Sequence, residues 1–114
     1  MSGKKEELIV QYAAEIKDKF GVTPDMDFLK KVTTGLGPSI YNLDSSKVSA
    51  SDDAELETVK NNFLIKKLGL ADSSELMDAI KSVLDTYGSS VRNKHRAVVY
   101  YMLAKHFGKE SVYN

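Results

Sequence analysis

The sequence lacks cysteine altogether and contains only two prolines among its 114 residues. Without cysteine, a disulfide framework and thiolate-based zinc or redox chemistry are excluded. This absence fits a reducing compartment, and we expect a cytoplasmic protein. The charged first residues do not follow the pattern of a secretory signal. No apolar run approaches the roughly 18 residues of a membrane-spanning helix, because the longest one, from Ala97 to Ala104, has eight. We therefore expect no contact with a membrane.

A net charge is absent as well. The 16 lysines and arginines balance the 16 aspartates and glutamates, so the whole chain has no electrostatic attraction to nucleic acid or anionic lipid. The charges are nevertheless unevenly distributed. From Asp44 to Glu57 five acidic residues accompany Lys47, whereas the stretch between Asp85 and Glu110 contains no carboxylate and five basic residues. Either the two segments attract each other inside the fold, or each of them contacts a partner.

The placement of the seven glycines is informative. Six of the seven glycines follow an apolar helical stripe, at positions 21, 35, 37, 69, 88 and 108. Glycine adopts the left-handed backbone conformation that ends helices without steric cost. The sequence therefore predicts an all-α fold with five helices in one irregular bundle. We expect residues 1–114 to form a single domain, with a loop at 42–51 and a C-terminal tail at 109–114.

Capping residues and apolar spacing predict where the helices lie. The first helix is expected over Lys4–Phe20, and the second begins after Thr23 as N-cap with Pro24 in the first turn. The third follows Asp52 as N-cap, with Ser51 as the alternative cap, and ends at Leu68. The fourth follows Asp72 or Ser73 and ends at Tyr87. The fifth begins near Ser90 and ends at Phe107. The predicted core contains the apolar residues Leu8, Ile16, Phe28, Val32, Leu56, Val59, Phe63, Leu76, Ile80, Leu84, Val98 and Met102.

The fifth predicted helix carries an apolar run on nearly all its faces. A helix of this kind is usually the central one of a bundle. The Val98–Tyr101 segment also has a high β-propensity, which makes a strand the alternative. We favour the helix because no second strand is evident and Gly108 follows in the manner of a helix end.

The basic residues of this region are the first candidate site. Arg92, Lys94, Arg96, Lys105 and Lys109 would suit contacts with phosphate groups of nucleic acid or of a small anion. The alternative is that these charges are solvated at the ends of a buried helix and pair with the acidic segment. The tight connection from Lys66 to Ser73 also has the form of a helix-turn-helix, but the helix after it is acidic and would repel DNA.

The two histidines are the second candidate. His95 and His106 lie about 16 Å apart along one helix by the helical rise, so they cannot share a metal ion. No carboxylate lies within a turn of either in the sequence, and an enzyme using them would need carboxylates from another helix. The sequence thus predicts no catalytic residues, no metal site and no cofactor.

The tyrosines are the third candidate. Tyr100, Tyr101 and Tyr113 are the residues that we predict for a protein interface, because tyrosine is enriched at interfaces. Adjacent residues on a helix point about 100° apart, so Tyr100 and Tyr101 face different directions. The sequence accordingly favours a non-catalytic interaction or regulatory module. Its partner would be another protein or a second copy of the chain, through the fifth helix or the tail, with binding of nucleic acid or a phosphate ligand as the alternative function.

Four segments of the sequence resemble a family of small bacterial proteins that is classified as a domain of unknown function. The similar segments are residues 23–27, 35–38, 55–70 and 93–113, so the resemblance covers nearly the whole chain. It implies a stand-alone bacterial protein of about this length. The family has no assigned reaction, ligand or catalytic residue to transfer to these positions.

Overall fold

The computed structural model describes residues 3–42, 45–91 and 94–113. Within these ranges the chain forms five α-helices and no β-strand, which confirms the all-α prediction. The helices are α1 (Lys4–Phe20), α2 (Met26–Leu36), α3 (Asp53–Thr58), α4 (Ser74–Tyr87) and α5 (Arg96–Phe107). Short 3-10 helices span Gly37–Tyr41 and Glu110–Tyr113, and a π-helix (Val59–Lys67) continues α3. None of the described helices is both long and apolar enough to cross a membrane.

The first two helices differ in how well their starts match the prediction. Helix α1 has the predicted bounds and ends at Gly21, which has a left-handed φ of 68°. Helix α2 begins later than predicted, and its N-cap is Asp25 rather than Thr23. The Asp25 carboxylate accepts the Phe28 N–H at 3.1 Å, and the Asp25 N–H donates to the Tyr101 hydroxyl at 2.8 Å. This contact with α5 fixes Asp25 at the helix start.

The third predicted helix changes its geometry partway along. Asp52 caps α3 as expected, since its carboxylate accepts the N–H groups of Ala54 and Glu55. From Val59 onward the backbone is π-helical. At its end the Leu68 N–H donates to the Phe63 carbonyl five residues earlier, at 2.9 Å. Periodicity cannot distinguish such a segment from an α-helix, because the apolar stripe is almost the same.

Helix α5 begins at Arg96, six residues later than predicted from Ser90. The residues before it pair with the loop that follows Asn42 instead of forming helical hydrogen bonds. The Val48 N–H donates to the Lys94 carbonyl and the Arg96 N–H donates to the Ser46 carbonyl, each at 2.8 Å. Backbone groups that leave water need such partners, and here a distant segment provides them. The predicted helix start near Ser90 is therefore wrong for the described residues 90, 91, 94 and 95, and residues 92–93 lie outside the described ranges.

Helix α5 lies at the centre of the bundle and packs against α1, α2 and α4. Its residues Ala97, Val98, Val99, Leu103 and Ala104 are almost completely buried, as expected for a central helix. The α-helical backbone over Arg96–Phe107 confirms the helix over the strand. The predicted core residues all belong to the buried cluster except Leu8 and Met102, which are partly buried against it.

Candidate functional site

Two of the three tyrosines predicted for an interface line one cleft of about 190 Å³. Tyr100 comes from α5 and Tyr113 from the C-terminal 3-10 helix. Phe63 stacks on Tyr100 with 3.9 Å between ring centroids and 13° between ring planes. We call this site the tyrosine cleft. The remaining residues around it are Gly35, Leu36, Asn62 and Lys67.

The π-helix supplies one side of the tyrosine cleft. Asn62, Phe63 and Lys67 all belong to it, and π-helical turns frequently occur at functional sites. The Lys67 ammonium lies 4.7 Å from the centre of the Tyr113 ring, at cation–π distance. Lys67 forms no ion pair with any carboxylate of the described residues. The cleft is therefore aromatic and carries a positive charge.

Tyr113 is held in place from two sides. Its ring packs edge-on against Phe28 with 5.5 Å between centroids. A Cβ atom added at Gly35 would lie 3.2 Å from the Tyr113 ring, so the missing side chain at Gly35 makes room for it. Burial raises the pKa of the Tyr113 hydroxyl above its ordinary value, and the tyrosine is uncharged at neutral pH.

The third tyrosine of that prediction, Tyr101, lies inside the protein and is only 2 % exposed. Its ring packs on Phe28 with 5.4 Å between centroids, and its hydroxyl accepts the Asp25 N–H. Tyr101 joins α5 to the start of α2 and does not reach the tyrosine cleft.

Arg96, a predicted anion contact, binds within the protein. Its guanidinium donates to the carbonyls of Ser45 and Lys47, at 2.8 and 3.1 Å, and to the Glu55 carboxylate. Burial alone would lower the pKa of Arg96, but contact with the Tyr100 hydroxyl and with Glu55 raises it. The basic segment and the acidic segment therefore attract each other inside the fold at this point.

The other predicted basic contacts that the structure describes are each placed in a different environment. Lys94 is buried, and its ammonium donates to the Val91 carbonyl at 2.6 Å. Lys105 lies 3.5 Å from both Asp25 and Glu110. Lys109 is partly exposed, and Arg92 lies outside the described residues.

The fold also creates a polar cluster that the sequence did not predict. Tyr87 on α4 donates a hydrogen bond to Glu15 on α1. His95, just before α5, places its Nε2 atom 3.2 Å from the same carboxylate, and its backbone N–H donates to the Tyr87 hydroxyl at 3.2 Å. One feature of the sequence could have indicated this cluster. Glu15 is a charged residue directly before Ile16, beside the apolar face of the first helix.

Hydrogen bonding within this polar cluster changes the ionisation of its members. Burial alone would raise the pKa of Glu15, but the hydrogen bonds from His95 and Tyr87 lower it below its ordinary value. Burial and the bond to Glu15 raise the pKa of Tyr87. The carboxylate is charged and the phenol neutral at pH 7.

His106, the second histidine, is exposed near the end of α5, where its ring packs edge-on against Phe107. It lines an open cleft with Glu75 and Asp78 of α4. Across the described ranges, no three histidine, aspartate or glutamate side chains are grouped closely enough to hold a metal ion.

Comparison with known protein families identifies a match over most of the chain. A family model described as "Protein of unknown function (DUF2853)" matches residues 11–111. The matched range contains α2 to α5, the whole polar cluster and every residue of the tyrosine cleft except Tyr113. No curated protein matches the sequence.

Proposed function

The chain belongs to this family of proteins of unknown function (DUF2853), and we propose that it is a non-catalytic interaction module of the bacterial cytoplasm. In this proposal the tyrosine cleft binds a segment of a partner protein. The observation that carries the proposal is the meeting of Tyr100, Tyr113 and Phe63 from three separate parts of the chain. The lack of cysteine fits the proposed compartment.

The size of the tyrosine cleft limits what it can hold. Pockets for cofactors and drug-sized ligands are typically about 300–1,000 Å³, whereas this one is about 190 Å³. That volume suits a single side chain. Aromatic walls favour an aromatic or aliphatic side chain, because ring pairs gain energy beyond their buried area.

The positive charge of Lys67 indicates a second property of the partner segment. Lys67 stands at the cleft with no carboxylate partner among the described residues. A carboxylate next to the inserted side chain would pair with this ammonium and would distinguish the correct partner from neutral or basic segments. We therefore propose a partner segment with an aromatic or aliphatic residue adjacent to an aspartate or glutamate.

The geometry gives less support to nucleic-acid or phosphate binding through residues 92–109. Nucleic-acid binders present several basic side chains on one face. Here Arg96 and Lys105 pair with carboxylates of the protein itself, and Lys94 is buried. We do not propose this function for the helix.

The proposal is tested by charge reversal at two neighbouring lysines. Lys66 and Lys67 both belong to the π-helix and are both exposed, but only Lys67 lines the tyrosine cleft. Wild type, Lys67→Glu and the matched control Lys66→Glu are immobilised and exposed to lysate, and the retained proteins are quantified. We expect a partner that wild type and Lys66→Glu retain and that Lys67→Glu binds at least about tenfold more weakly.

The partner's binding segment is then titrated as a synthetic peptide, with and without its acidic residue. Retention of every protein by Lys67→Glu would contradict the proposal, as would binding of the peptide by all three proteins alike. Nucleic acid that is released by salt would instead support the alternative function. Sedimentation of the purified protein detects a second copy of the chain as the occupant.

A further inference from the structure

Lys94 is a buried cation with few protein partners. It is 5 % exposed, and its ammonium donates one hydrogen bond, to the Val91 carbonyl at 2.6 Å. An ammonium group has three N–H donors, and no described residue accepts from the other two. A buried charge is costly unless it is paired and fully hydrogen-bonded. Lys94 therefore has donors available for a bound anion.

Lys94 lines a cleft of about 330 Å³ between α3, α4 and the segment before α5. We call it the Lys94 cleft. It is separate from the tyrosine cleft and shares no residue with it. The apolar side chains of Leu56 and Leu84 contribute to its wall, and Ser51 and Ser89 add hydroxyl groups.

The Lys94 cleft contains charges of both signs. Lys81 lines it together with Lys94, and Asp53 and Asp85 carry the opposite charge. Within the part of the chain that the structure describes, none of the four forms an ion pair. Two positive and two negative side chains thus face one space without neutralising each other directly.

From this arrangement we propose that the Lys94 cleft binds a small zwitterionic molecule. The oxyanion group of the ligand binds Lys94 and Lys81, and its ammonium group binds Asp53 or Asp85. The buried ammonium of Lys94 provides the strongest contact, because charge-assisted hydrogen bonds are stronger away from water. The volume lies at the lower end of the range for small-molecule sites.

Phosphoethanolamine is the probe, because it carries a phosphate and an ammonium on a short linker. Inorganic phosphate and ethanolamine serve as its separate halves. Each compound is titrated into the full chain and followed by calorimetry and by NMR shifts of the Ser51 and Ser89 amides. We expect phosphoethanolamine to bind at least about tenfold more tightly than either half. We also expect its saturation to raise the melting temperature.

Three variants assign this binding to the cleft. Lys94→Met replaces the ammonium with an apolar chain of similar length and should bind the probe at least about tenfold more weakly. Asp85→Asn should reduce the preference for phosphoethanolamine over phosphate. Lys66→Met, a lysine outside the cleft, is the matched control and should bind like wild type.

Binding of phosphoethanolamine by Lys94→Met with the wild-type affinity would overturn the proposal. So would the absence of any saturable shift in wild type, or equal affinities for phosphoethanolamine and inorganic phosphate. If Lys94→Met does not fold, Lys81→Met at the exposed side of the cleft provides the same comparison and should also weaken binding.

Discussion

The hydroxyl of Tyr87 donates a hydrogen bond to the carboxylate of Glu15, 72 residues earlier in the chain. The same hydroxyl accepts the backbone N–H of His95. Tyr87 thus joins α1, α4 and the residue before α5 through a single oxygen atom. Because the Glu15 carboxylate is charged and only 21 % exposed, the hydrogen bond that it accepts contributes more than a neutral surface hydrogen bond.

Removing that hydroxyl should destabilise the protein without changing its fold. In Tyr87→Phe the ring and its packing remain, but Glu15 loses a donor and the His95 N–H loses its acceptor. Hydrogen bonds to charged groups contribute about 1.5–3 kcal/mol, so we expect a loss of about 2–3 kcal/mol in the free energy of unfolding. Urea denaturation measures it. Tyr41→Phe, at a tyrosine that is 50 % exposed, is the control and should change stability by less than about 0.5 kcal/mol.

Acid should weaken the folded state partly through Glu15. Its pKa is lowered from an ordinary value of 4.5, so the unfolded chain takes up a proton at a higher pH than the folded protein does. The contribution of Glu15 to stability is complete above pH 4.5 and is lost as the pH falls through the folded pKa. In Glu15→Gln this part of the pH dependence should be absent. The two proteins, wild type and Glu15→Gln, are compared by measuring their free energies of unfolding at several pH values below neutral. The prediction fails if both proteins lose stability equally on acidification.

The ion pair between Arg96 and Glu55 holds α3 and the loop before it against α5. Truncation of Arg96 in Arg96→Met leaves the Glu55 carboxylate and the carbonyls of Ser45 and Lys47 without this donor. Loss of one partner of a fully buried pair costs about 3–5 kcal/mol. This pair is partly buried, and we expect a loss at the lower end of that range by urea denaturation. Amide hydrogen exchange at Val48 should also accelerate, since its hydrogen bond to Lys94 lies beside this pair.

Lys105→Met is the comparison for Arg96, because Lys105 pairs with Asp25 and Glu110 nearer the surface. Such exposed pairs contribute at most about 1 kcal/mol. A similar loss in the two variants would show that the Arg96 pair is not specially important to the fold.

The core depends on Phe63 where the π-helix meets α5. Phe63 is 3 % exposed and stacks on Tyr100. Phe63→Ala should lower the free energy of unfolding by about 3–5 kcal/mol, because it removes buried apolar area and leaves a cavity. The melting temperature should fall accordingly, whereas Val10→Ala, at a valine that is 65 % exposed, should have little effect. A Phe63→Ala variant that melts with wild type would contradict the core assignment.

Local signals in the sequence predicted the helices well where the decisive contacts are short-range. The Asp52 cap, the end of α1 at Gly21 and the apolar stripe of α4 all involve neighbours within a few residues. Where a predicted helix start was wrong, the backbone there forms hydrogen bonds with residues far away in the chain. Residues 46–48 hold the segment before α5 in an extended form, and Tyr101 holds the start of α2 at Asp25.

The sequence predicted the candidate sites less completely than the helices. The sequence singled out Tyr100 and Tyr113, but it could not indicate that Phe63 and Lys67 would join them or that Tyr101 would be buried. The sequence also could not indicate that the Glu15 carboxylate would lie beside His95, because Glu15 belongs to α1 and the two residues are far apart in the chain. Nor does periodicity reveal the π-helical turns that present Asn62 and Lys67.

The sequence by itself therefore determined the all-α class, most helix bounds and nearly all of the core, because apolar spacing and glycine placement act over one or two turns. Only the tertiary structure decided which charges are used internally and which side chains meet at a cleft. Those outcomes depend on how helices far apart in the chain pack against α5, because only this packing brings a charge such as Arg96 within reach of Glu55.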